Sequence, residues 1–154
     1  MSTAQFDACA DPGARGDESI HAALALVEEM LNAAGHRSAD RAYFAEMAAA
    51  LRCLHTRIRT QHASAQLDAT DEWVGQAAPE LAEDVSRLRA EHPMILGKLD
   101  RLIRSTEAMA DQAAEDKEVF VMRVRELIAI VRRHEAEEDR LFYLSIWRDT
   151  GGES

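Results

Sequence analysis

The sequence predicts an all-α fold, and three observations predict it. Gly and Pro are scarce, 7 and 3 among 154 residues, so the chain has few places to turn. β-branched residues are scattered, and apolar and polar residues nowhere alternate with period two over a useful length. Apolar residues recur instead at helical spacing through four long stretches. With 47% apolar and 30% charged residues, the chain can bury a core and is neither disordered nor collagen-like.

Residues 1–17, with Asp11, Pro12, Gly13 and Gly16, carry no periodic apolar pattern and are expected to form an N-terminal tail. The first helix is expected over 18–34, stopped by Gly35. The second is expected over 39–68, opening behind Ser38. The third is expected over 79–109, starting at Pro79, whose preset φ and missing N–H suit a first helical turn. The fourth is expected over 113–147, closed by Asp149, Thr150, Gly151 and Gly152. The domain therefore spans 18–149, and 150–154 form a short C-terminal tail.

At about 100° per residue, each helix has one face to bury, and a histidine lies on or beside it. In the fourth, Val124, Leu127, Ile128, Val131, Leu141 and Phe142 share an arc with His134 and Glu138. Leu88, Ile95, Leu99 and Ile103 flank His92 in the third, and Phe44, Met47, Leu51, Leu54 and Ile58 lead to His62 in the second. His21 sits at one edge of a stripe made by Ile20, Leu24, Val27 and Leu31. Four such helices of comparable length pack most simply as an up-down antiparallel four-helix bundle, with Trp73, Phe142, Tyr143 and Trp147 filling its ends.

Charge and motifs narrow the function. A net charge of −10 gives no electrostatic grip on nucleic acid or anionic lipid, so neither is an expected partner. The N-terminus lacks the basic start and apolar run of a signal peptide, and no segment reaches the roughly 18 apolar residues of a membrane span. Cys9 and Cys53 are far apart in sequence and are expected to be free thiols, which together with the missing signal points to a cytoplasmic protein. No nucleotide-binding or nucleophile-elbow motif is present, and Glu18 with His21 is a lone Glu-x-x-His pair. A binding or sensing protein is expected before an enzyme.

His21 and His62 are 41 residues apart, His92 and His134 are 42 apart, and this spacing reads as a duplicated helical hairpin. Glu138 follows His134 by four residues, on one helical face, as a pair of metal ligands requires. In the first half the corresponding pair is His62 and Gln66.

The run Arg133-His134-Glu135-Ala136-Glu137-Glu138-Asp139-Arg140-Leu141-Phe142, preceded by Leu88-Arg89-Ala90-Glu91-His92, resembles the second half of a hemerythrin-like, HHE cation-binding domain. The resemblance covers about residues 18–147 and implies an up-down bundle around a non-heme di-iron centre. Carried over by position, it implies metal ligands at His21, His62, His92, His134 and Glu138, with iron bound as one ion or two. The sixth position is Gln66, where the family has a glutamate that bridges the irons, so the expected carboxylate count falls to one. The resemblance further implies binding or sensing of O2 or NO, or iron handling.

A second reading remains open at this point. An unpaired carboxylate at the buried position of Glu138 is costly and needs a partner, either a metal ion or a base. Arg59, one turn before His62, could supply the base. The chain would then be a metal-free, degenerate bundle that works as a protein-interaction module. Pro93, immediately after His92, is expected to bend the third helix.

Overall fold

The computed structural model describes residues 16–33, 40–63, 76, 78–111 and 117–150. They form four α-helices and no strand: α1, Gly16–Ala33; α2, Arg41–Ala63; α3, Ala82–Asp111; and α4, Lys117–Thr150. A 3-10 turn, Pro79–Leu81, leads into α3. The expected N-terminal tail, apart from the start of α1, lies outside the described residues, as do Ser38, Gln66, Trp73 and the C-terminal residues 151–154.

Local chemistry sets the helix starts. Asp40 caps α2: its Oδ1 accepts from the Tyr43 N–H at 2.9 Å, and its carbonyl accepts from Phe44 at 3.2 Å. Helix α2 therefore opens two residues later than expected. Pro79 opens the 3-10 turn, in which the Leu81 N–H reaches the Ala78 carbonyl at 2.9 Å. Helix α3 runs unbroken through Pro93, whose side chain is exposed.

Each helix packs on the next in chain order, α1 on α2, α2 on α3 and α3 on α4, while α1 touches α4 only sparingly. Along that last seam a groove is lined by Leu31, Asn32, Arg125 and Ile128, and Arg132 bridges it to Glu28 at 2.6 Å. The main core draws on all four helices, including Val27, Met47, Leu51, Leu99 and Val124. Burying each such side chain contributes about 1.5–3 kcal/mol. Phe44 meets Phe120 edge to face at 5.3 Å, and the buried Tyr43 hydroxyl donates to the Met30 carbonyl, tying α2 to α1. A smaller apolar cluster of Ala78, Leu81, Val85, Leu88 and Leu141 joins the start of α3 to the end of α4.

Two expectations are corrected. Cys53 is half-buried and disulfide-bonded, not a free thiol. The other cysteine of the sequence, Cys9, lies outside the described residues. The support that free thiols lent to a cytoplasmic location is withdrawn, because disulfides are rare in reducing compartments. Phe142, Tyr143 and Trp147 do not fill the bundle end: they are exposed, as Leu141 and Leu144 take the inward positions of that turn. No helix among the described residues is long and apolar enough to cross a membrane.

Candidate metal centre

The buried stripes of three helices are interrupted at one level by polar side chains. On α2, His62 follows the core residue Ile58 by one turn. On α3, His92 lies between Leu88 of the small cluster and Ile95 of the main core. On α4, His134 and Glu138 lie between Val131 of the main core and Leu141 of the small cluster. The four side chains thus form a polar layer between two apolar clusters, where dielectric screening is weak.

One ligand atom from each of His62, His92, His134 and Glu138 lies within 4.8 Å of all the others, and this is the one such group among the described residues. Glu138 Oε1 accepts from His92 Nε2 at 2.9 Å and from His134 Nε2 at 3.0 Å. The other ring nitrogen of His134, Nδ1, donates to Glu91 Oε2 at 3.0 Å. An ionised carboxylate can only accept, so both nitrogens of the His134 ring carry protons in this arrangement. The His62 ring stacks on that of His92, centroids 3.5 Å apart and planes 10° apart. Both nitrogens of His62 are buried and have no hydrogen-bond partner among the described residues.

The electrostatics follow from this geometry. Burial, aided by neighbouring His92, pushes His62 down to about 4, so it is neutral near pH 7. Burial also opposes charge on His134, but its bonds to Glu138 and Glu91 outweigh that cost and raise its pKa above 6.5. For Glu138 burial again works against the ion, yet the His134 and His92 donors prevail and hold it at about 2. Near pH 7 the layer thus presents the Glu138 carboxylate and a neutral His62 ring with two unanswered nitrogens, beside a His134 ring that holds its proton more tightly than a free imidazole.

The donor set fits a metal ion. Four ligands at about 2.1 Å from a tetrahedral ion stand about 3.4 Å from one another, so a pair at the 4.8 Å limit of the group would draw together by about 1.4 Å. The two orphaned nitrogens of His62 carry a desolvation cost that coordination would relieve at one of them.

Of the five ligand positions expected from the sequence, four come together here and His21 does not. It is exposed on α1, because Ile20, Ala23, Leu24 and Val27 take the inward positions and His21 is turned about 100° from Ile20. Gln66 lies outside the described residues. Arg59 is exposed, and the base that Glu138 meets is histidine, at two rings, so the Glu138–Arg59 ion pair offered by the second reading is corrected. Glu135 is buried and accepts from Gln61 Nε2 at 3.4 Å. His55, a turn before Arg59 on α2, is half-buried and meets Asp100 at 3.1 Å.

Glu91 is the participant that sequence reasoning missed. At about −100° from His92 it sits at the edge of the α3 stripe, where an acid reads as solvated. Its partner is on another helix, and only the register of α3 against α4 reveals it.

Comparison with known proteins gives no match: no family model fits the chain, and no curated protein or solved structure is significantly similar to it.

Proposed function

We propose that the protein is a hemerythrin-like metal-binding protein, an up-down antiparallel four-helix bundle that holds one divalent ion through His62, His92, His134 and Glu138. The packing of each helix on its chain neighbour supports the bundle topology. The observation that carries the metal reading is the convergence of four donors from three helices around His62, whose ring nitrogens are buried and unpartnered. Three imidazole nitrogens and one carboxylate oxygen, with no thiolate, suit a first-row divalent metal. Iron is the one the family resemblance implies. Four protein ligands serve one ion, while a second would need the positions of His21 and Gln66.

When bound, such an ion supplies a Lewis-acid position for a small diatomic ligand such as O2 or NO, and binding, sensing or iron handling is the function proposed. The chain's own residues would orient the ion, neutralise its charge through Glu138, and shield it between two apolar clusters.

A different observation favours the second reading, a metal-free interaction module. Glu138 is already bonded by two rings, and His134 by two carboxylates, so most of the layer is satisfied without an ion. Titration of chelator-treated protein with Fe2+ and Co2+, beside Glu138→Ala, His134→Ala and His21→Ala, separates the two. One equivalent bound by wild type and His21→Ala, and none by the other two variants, is the expected result. No binding by wild type overturns the metal reading.

A further inference from the structure

Glu91 is absent from the group of converging donors, yet it bonds the most buried member of that group. His134 is 1% exposed, and its Nδ1 lies 3.0 Å from Glu91 Oε2. Glu91 immediately precedes His92, so adjacent residues of α3 deliver one donor and one clamp. On its outer side the same carboxylate oxygen stands 3.9 Å from Arg133 Nη2. That guanidinium is exposed and contributes little energy.

An imidazole binds metal through one nitrogen, and the bond made by the other decides which nitrogen that is and how the ring is aimed. In His134 the inner nitrogen, Nε2, faces Glu138 Oε1 at 3.0 Å, and the outer nitrogen, Nδ1, faces Glu91. Charge counting points the same way. One divalent ion beside Glu138, the only carboxylate among the four donors, leaves positive charge on the group, and Glu91 adds a negative charge beside His134 without occupying a coordination position.

We propose that Glu91 is a positioning residue for the metal: it holds the proton on His134 Nδ1, aims His134 Nε2 at the ion, and supplies the second negative charge of the site. The inference rests on the metal reading above. It deepens that reading by making the centre a carboxylate–histidine–metal relay spanning α3 and α4.

The test is Co2+ titration of chelator-treated full-length protein, read by affinity and by the visible absorption of the bound ion. Wild type is compared with Glu91→Gln, Glu91→Ala and Glu137→Gln. The last removes an equal charge from an exposed pair with Arg140. Glu91→Gln is expected to bind about 10–100-fold more weakly, Glu91→Ala more weakly still, both with shifted absorption bands, and Glu137→Gln as wild type. Wild-type affinity and spectrum in Glu91→Gln overturn the positioning role and leave the metal reading standing. Equal weakening in Glu137→Gln also overturns it, because the effect would then be a general one of charge. No Co2+ binding by wild type removes the metal reading and this proposal together. Should Glu91→Gln fail to fold, Glu91→Asp carries the test: it keeps the charge but draws the carboxylate back by one methylene, and unchanged affinity and spectrum there overturn the proposal.

Discussion

The ring of His62 lies flat against that of His92, 3.5 Å between centroids, and neither nitrogen of His62 has a hydrogen-bond partner among the described residues. A buried imidazole in that state costs stability, since its lost hydration is not replaced. Without metal, His62→Leu is therefore expected to stabilise the protein by about 1 kcal/mol, as an apolar side chain of similar size takes the place of an unsatisfied polar one. With metal the same variant is expected to lose affinity by an order of magnitude or more, because a ligand is gone. Urea denaturation of chelator-treated protein, paired with Co2+ titration, checks both. A large destabilisation without metal would show that His62 is a packing residue.

Glu138 works in the opposite sense. It accepts bonds from two rings, and its removal leaves the Nε2 donors of His92 and His134 facing one another without an acceptor. Glu138→Ala is expected to cost about 1–3 kcal/mol even without metal, and to abolish metal binding. The contrast with His62→Leu is the useful result: one ligand stabilises the fold, the other burdens it.

Much of this layer was legible in the sequence. The i, i+4 spacing places His134 and Glu138 on one face, and the apolar stripes of the second and third helices carry His62 and His92 inward. Periodicity fixes which face a side chain takes, but it is weak at the edge of a stripe. His21, at such an edge, falls outward, whereas Glu91, at another, is drawn in by a partner on α4. Phe142 shows the same limit at a helix end: its wheel position is inward, yet it is exposed. The disulfide at Cys53 has no local signature, because pairing depends on where distant segments meet.

The fold and the site are separable by mutation. Asp40→Ala removes the cap of α2, where Oδ1 accepts from Tyr43 N–H, and is expected to cost about 1 kcal/mol. Leu51→Ala empties part of the main core and is expected to cost about 2–5 kcal/mol. Both residues lie well before His62 on α2, so protein that remains folded should keep one equivalent of metal at near wild-type affinity. Thermal melts followed by metal analysis of the folded fraction check this, and loss of metal in folded Asp40→Ala would mean that the site depends on the far end of the helix.

Three shifted groups of the layer, His62, His134 and Glu138, predict how the metal-free protein responds to pH. His62, held at about 4, stays neutral when folded but takes a proton when unfolded, so stability is lost as pH falls from 6.5 toward 4. Glu138, held at about 2, contributes fully above 4.5, and that contribution is lost as pH falls further. His134, raised above 6.5, contributes below that value and loses its contribution as pH rises through the folded pKa. Together they place the layer's greatest contribution near pH 6.5. Under the proposed metal reading, affinity runs the other way above that point, because an ion would have to displace the proton on His134 Nε2 and would bind more tightly as pH rises. Urea midpoints of chelator-treated protein between about pH 5 and pH 8 should peak within the range, and Co2+ affinity over the same range should climb steadily. In His62→Leu the acid side of the stability curve should flatten. A curve unchanged by that substitution would assign the acid sensitivity to groups outside the layer.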